Sequence, residues 1–195
     1  MLYRQGDPAE SLYYLESGLM KLTRTLEDGR EVLIRFVREG EVFGERALIS
    51  DDMRDCTAHV IETSAVGEFT RRDFLEQCSK HQDLWYWFTE MFTRRLKETE
   101  RRNQLVSFYR VEYRILQTLA DLAVWFAPGN EVASGTLIPL TQSELADLVG
   151  ASRETTSTTL NVLRRKGLVL LGRRYVTVVS AQSLRVAAKR ISKHG

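Results

Sequence analysis

Between Leu12 and about Phe69, apolar and polar residues alternate in short runs: Leu12 to Glu16, Leu19 to Leu26, Glu31 to Val37 and Thr57 to Glu62. That is the period of half-buried strands. Gly18, Gly29, Gly40, Gly44 and Gly67 punctuate the runs, and Glu27-Asp28-Gly29 between two of them is a hairpin signal. Short strands so spaced predict a small antiparallel barrel or sandwich. Its first strand is missing or very short, because the sequence starts almost inside the turn Gln5-Gly6-Asp7-Pro8, as a shortened chain would.

After Arg71-Arg72-Asp73 the period turns helical, and about Leu84 to Phe108 contains neither Gly nor Pro, which predicts one long helix. Within it Phe92, Leu96, Thr99, Asn103 and Val106 follow steps of 4, 3, 4 and 3, while Arg94, Arg95, Lys97, Glu98, Glu100 and Arg101 fall outside that row. The row is a short dimer seam, with Asn103 against its symmetry mate fixing the register, or else a stripe that packs on the helix's own barrel. A second helix is expected from about Val111 to Phe126, with Ile115, Leu116, Leu119 and Leu122 inward, ended by Ala127-Pro128-Gly129-Asn130.

Thr141-Gln142-Ser143-Glu144 has the spacing of a capping box and opens a third helix, whose buried face is Leu145, Ala146, Leu148 and Val149. Gly150 can take the left-handed conformation that turns the chain, and Ser152 caps a further helix running to about Lys166. There Thr156, Thr159, Leu160 and Leu163 share one face, so Arg153, Glu154, Ser157, Thr158 and Asn161 point outward together. Ser and Thr are poor helix formers, and an outward row of them is explained by a partner surface. Arg153 can donate twice to guanine and Glu154 can accept from a cytosine amino group, which makes Arg153, Glu154, Ser157 and Thr158 the candidates for reading bases. Two short β-runs around Gly172-Arg173-Arg174-Tyr175 form a wing, and Thr141, Ser152, Arg173 and Arg174 are the candidates for phosphate contact. Arg164, Arg165 and Lys166 either join them or complement the helix dipole.

Charge sharpens this reading. The chain of 195 residues carries a net charge of only +2, but residues 140 to 195 hold ten Lys or Arg against Glu144, Asp147 and Glu154. The C-terminal quarter wants an anionic partner, here double-stranded DNA. At 43% hydrophobic residues, two small cores are expected: an α+β protein with a barrel sensor domain at 1–82, a long dimerisation helix at 83–108 and a winged helix-turn-helix at 109–195. No apolar run approaches the roughly 20 residues of a membrane span, so no membrane partner is expected. Cys56 and Cys78 lack zinc-ligand or C-x-x-C spacing, which favours a cytoplasmic protein with reduced thiols and no metal site. Two distant cysteines do not hold an iron-sulphur cluster, and of His59, His81 and His194 only His59 lies in the barrel, so haem is not expected either.

Glu144-Leu145-Ala146 followed by Val149-Gly150-Ala151-Ser152-Arg153-Glu154-Thr155 resembles the helix-turn-helix signature of the cyclic-AMP receptor protein/FNR (CRP/FNR) family of bacterial transcription regulators. Gly18, Gly40 and Gly44-Glu45, with Arg54 downstream, resemble its cyclic-nucleotide-binding jelly roll. The resemblance covers nearly the whole chain. It implies a homodimer through the long helix, recognition helices in successive major grooves of a near-palindromic site, and contact with RNA polymerase. Where family members that read G-rich half-sites carry a second Arg, this chain has Thr158, which suits a thymine methyl or a phosphate instead.

The resemblance also implies an effector site for cyclic AMP or cyclic GMP, with Gly44, Glu45, Arg54 and Thr99 matching the residues that hold phosphate, ribose and base. Asp55 and Glu100 stand where hydroxyls are usual. A carboxylate beside a phosphate repels it by about 1 kcal/mol or more at intermediate dielectric, and Asp55 could pair with Arg54 instead. Glu45 with Arg54 could equally be a structural ion pair. The sensor is therefore open between a cyclic nucleotide, another ligand and none.

Two other function classes compete. An enzyme needs a nucleophile with its base, metal-ligand spacing or a phosphate loop opening a helix, and the sequence has none of these. A cyclic-nucleotide-binding signalling module whose winged helix contacts protein would leave the basic C-terminal quarter and the outward Arg153-Glu154 pair without a purpose.

Overall fold

A computed structural model describes residues 1–49, 53–132 and 135–192, with side chains left out at 128–132 and 192. Its contacts divide the chain into two units, Met1–Leu96 and Lys97–Gly195. His194, weighed above as a haem ligand, lies outside the described residues.

The first unit is built from β1 (Ser11–Ser17), β2 (Leu19–Thr25), β3 (Glu31–Arg38), β4 (Val42–Phe43), β5 (Thr57–Val60) and β6 (Ala65–Thr70). They form two antiparallel three-stranded sheets, ordered β4-β1-β6 and β3-β2-β5. The expected jelly-roll sheets are thus present, and among the described residues no strand pairing closes them into one barrel. Inward residues of both sheets, among them Tyr13, Leu15, Met20, Leu22, Val37, Phe43 and Ala58, make the core between them. Gly18 turns β1 into β2 at φ 95, where a Cβ would stand 2.4 Å from the Ser64 hydroxyl. No L-residue fits there without displacing that neighbour.

The missing first strand is a pair of single bridges, Tyr3 to Ala58 and Pro8 to Met53. Gly6 N–H donates to the Arg54 carbonyl and Arg54 N–H to the Asp7 carbonyl, both at 2.8 Å, so residues 2–8 lie along the segment that leads into β5. A short 3-10 turn, Glu45–Leu48, follows β4.

The helical part of this unit breaks in two. α1 (Arg71–Lys80) is capped by the Thr70 hydroxyl, and His81, at φ −130, separates it from α2 (Gln82–Phe108). Phe74, Cys78 and Phe88 bury against Leu12 and Val42 in a second cluster, with Phe92 packed on its margin.

The second unit holds α3 (Val111–Asn130), β7 (Glu131–Val132), β8 (Gly135–Ile138), α4 (Gln142–Val149), α5 (Arg153–Arg165), β9 (Val169–Leu171), β10 (Val176–Val178) and α6 (Ala181–Ser192). Its sheet is ordered β7-β8-β10-β9. Ile115, Leu116 and Leu119 of α3 are fully buried, as are Leu145 of α4, Leu160 of α5 and Leu184 of α6. α3 passes the end expected at Phe126. Pro128 falls in its last turn, where a missing amide removes a single hydrogen bond and the helix continues to Asn130. No described helix is long and apolar enough to cross a membrane.

Candidate DNA interface and sensor site

The helix pair α4 and α5 of the second unit is set by three local devices. Thr141 Oγ1 accepts from the Glu144 amide at 3.2 Å while the Glu144 carboxylate accepts from the Thr141 amide at 2.7 Å, which closes the capping box and fixes where α4 starts. Gly150 ends α4 at φ 61 and ψ 49, and its N–H together with that of Ala151 returns to the Asp147 and Ala146 carbonyls. Ser152 Oγ then accepts from the Thr155 amide at 3.1 Å and starts α5 only two residues after the turn.

Burial orients α5. Thr156, Leu160 and Leu163 face the core, Arg153, Glu154 and Thr158 are exposed, and Ser157 and Asn161 are half-buried beside them. The Asn161 and Thr159 side chains donate back to the Ser157 and Thr155 carbonyls, which leaves the first two turns to present Arg153, Glu154 and Thr158 outward. The backbone amide of Glu154, the Ser152 hydroxyl and Arg153 together hold the Glu154 carboxyl below the usual carboxylate range, so it is an acceptor at neutral pH. Arg173 and Arg174 are exposed at the tip between β9 and β10, in a turn tied by Gly172 N–H to the Tyr175 carbonyl at 3.0 Å. Three adjoining surfaces can therefore meet a duplex: the capped helix starts, the outward face of α5 and the basic wing tip.

In the first unit Arg54 is 4% exposed. Its guanidinium donates to the Gly44 carbonyl at 2.9 Å and to the Ser11 carbonyl at 2.5 Å, and lies over the Tyr3 and Tyr13 rings at 4.4 and 5.3 Å. A Cβ at Gly44, where φ is 73, would stand 2.7 Å from Arg54 Nη1. Neither ion pair weighed for Arg54 forms. Asp55 pairs with Arg24 and, at 3.7 Å, with Arg46, and Glu45 pairs with Arg95 at 3.6 Å. Arg54 exchanges backbone bonds like a strand residue, and neighbours on such a segment point to opposite faces: Arg54 goes inward and Asp55 outward. Arg24 and Arg95 were not legible as site residues, for they lie far from Asp55 and Glu45 along the chain, and Arg46, although next to Glu45, carries no local motif. His59 shares a hydrogen bond with the Thr23 hydroxyl at 3.0 Å and lies 3.6 Å from Glu31. Thr99 and Glu100 belong to the other unit.

Along α2 the seam residues divide. Phe92 packs its ring, tilted, on Phe88 at 4.7 Å on the margin of its own core, whereas Leu96, 58% exposed, and Thr99, Asn103 and Val106 are open to solvent.

Residues 1–81 match the family model described as cyclic nucleotide-binding domain, and residues 113–187 match the Crp-like helix-turn-helix domain. The chain is 31% identical over 183 residues to the cyclic AMP receptor protein of Thermus thermophilus, covering 94% of this chain and 82% of that one. The chain belongs to the CRP/FNR family. Among solved structures, a CRP-family transcriptional regulator of Thermus thermophilus is similar with a TM-score of 0.78 and 26% identity, covering 96% of this chain and 92% of the other. The c-di-GMP-responsive global regulator CLP of Xanthomonas campestris is similar with a TM-score of 0.75 and 29% identity, covering 91% and 88%. The regulator described here is accordingly a DNA-binding transcription regulator, of a family whose members homodimerise and are not enzymes.

Proposed function

We propose that this regulator works in the cytoplasm as a homodimer whose two α5 helices enter successive major grooves of a near-palindromic promoter site. Arg153 grips a guanine and Glu154 accepts from a cytosine amino group, while Ser157 and Thr158 meet the next base pair or its phosphate. Thr141, Ser152, Arg173 and Arg174 contact phosphates, which supply affinity and salt dependence without choosing sequence. The open row Leu96, Thr99, Asn103 and Val106, continued by the barrel-side Phe92, forms the seam between protomers. On this reading residues 1–82 sense, 83–108 dimerise and 109–195 read DNA, and the bound dimer touches RNA polymerase.

The observation that carries the proposal is the exposed Arg153-Glu154 pair on the first turn of a helix whose start is fixed by the Ser152 cap. Selection of bound duplexes from a random pool tests it. A two-fold symmetric site with half-sites about 10 base pairs apart is expected. A pool left unenriched at low salt contradicts it.

A further inference from the structure

A cyclic nucleotide is an anion with a planar base, and a protein takes it up through cationic or amide donors that are free to turn toward it. In the unit that matches the cyclic-nucleotide-binding model, three arginines are engaged already. Arg35 pairs with Glu41 at 2.9 Å and Arg95 with Glu45 at 3.6 Å. The buried Arg54 points both terminal nitrogens at protein carbonyls and lies among Tyr3, Tyr13 and Gly44. Arg24 on β2 and Arg46 on the 3-10 turn both converge on one oxygen of Asp55.

That convergence is a construction rather than a stray surface contact. Arg24 holds Asp55 twice, by the carboxylate and by Nε–H to the backbone carbonyl at 2.9 Å. Asp55 thereby ties three separate segments: β2, the turn after β4, and the stretch that leads into β5. A bound phosphate would do the same work, since it is an anion that gathers guanidinium groups from separate elements. An approaching phosphate has to displace the carboxylate from Arg24, and meets its charge at short range if it does not.

We infer that Asp55 is a built-in counter-anion of the sensor sandwich and the residue that decides its ligand specificity: it holds Arg24 and Arg46 in place of a cyclic phosphate, so the wild-type chain does not take up cyclic nucleotides. The residues present do not fit a cyclic nucleotide while Asp55 keeps its charge. A small hydroxyl at this position releases Arg24 from its carboxylate partner, takes away the Asp55 contact of Arg46 and removes the repelling charge. This inference concerns the first unit alone and stands apart from the DNA-reading proposal.

Calorimetry of the full chain with cyclic AMP, cyclic GMP and cyclic di-GMP tests it, on the wild type, Asp55→Ser and Asp55→Asn. The wild type is expected to show no saturable binding tighter than about 1 mM, and Asp55→Ser to bind at least one of the three roughly tenfold tighter or more. Asp55→Asn keeps the shape and loses the charge, so a gain there as well assigns the effect to charge. Saturable wild-type binding below that limit overturns the inference, and so does an Asp55→Ser protein with native circular dichroism that gains nothing. If Asp55→Ser does not fold, Asp55→Asn is judged by the same criterion. Duplex binding by the wild type, followed by anisotropy, is expected to be unchanged by cyclic AMP. Loss of all duplex binding would instead count against the DNA reading and leave the calorimetric result standing.

Discussion

Thr141 and Glu144 satisfy each other's backbone amides at the first turn of α4, the hydroxyl at 3.2 Å and the carboxylate at 2.7 Å. The pair fixes the first residue of the helix that supports α5. Removing the hydroxyl in Thr141→Ala is expected to lower stability by about 1 kcal/mol, as loss of an N-cap does. Urea unfolding measures it, and an unchanged midpoint would show that tertiary packing alone sets the helix start.

Thr156 offers the opposite case. It is fully buried on the inner face of α5, and its hydroxyl has no hydrogen-bond partner among the described residues. Val has nearly the same shape without the polar atom, so Thr156→Val is expected to stabilise the second unit by about 1 kcal/mol. A lower unfolding midpoint in the variant would mean that the hydroxyl is satisfied in solution.

Gly150 holds α4 and α5 apart at φ 61, with no heavy atom closer than 3.5 Å to an added Cβ. Gly150→Ala therefore meets backbone strain and no clash, and is expected to cost about 1–2 kcal/mol. Gly150→Asn, whose side chain tolerates this conformation better, should cost less than Ala. The reverse order would assign the cost to space rather than to conformation.

The first unit has an alkaline limit. Burial, then the neighbouring Asp55 charge, pushes the Cys56 thiol up from 9.0 to about 11, and burial raises the Tyr3 phenol as well. A group with its folded pKa raised stabilises fully below the unfolded value, and that stability is lost as pH climbs through the folded value. Stability is thus expected to fall as pH rises from about 9 toward about 11, and Cys56→Ala to flatten part of that fall. Urea midpoints at pH 8, 9 and 10 on both proteins check this. Parallel profiles would remove Cys56 as the cause.

Much of this was legible from residue order, and what was not has a common cause. β1, β2, β3 and β5 of the first unit, the capping box, the Gly150 turn and the Ser152 cap are local features, set by alternation and by side chains within four residues of the backbone they satisfy, whereas β4 and β6 were not among the runs read from the sequence. α6 left no signal that was read, since Leu184 and Ala188 are its buried residues among those described and sit beside Arg185, Lys189 and Arg190. The break at His81 between α1 and α2 was missed because it uses neither Gly nor Pro. Partner choice was the least legible. Arg24 and Asp55 are 31 residues apart, and which of several carboxylates an arginine meets is settled only by how two strands and a turn come together.

The central claim is that α5 reads sequence through Arg153 while the wing tip holds the backbone through Arg173. Anisotropy of the wild type, Arg153→Ala and Arg173→Ala on the selected site and on single-base variants, over a series of salt concentrations, tests it most directly. Arg153→Ala is expected to cost about 1–3 kcal/mol on the selected site and to erase discrimination at one base pair per half-site. Arg173→Ala is expected to weaken all sequences alike and to reduce the salt slope by about 1 per protomer. A uniform loss across sequences from Arg153→Ala, with discrimination kept at every base pair, would contradict the account.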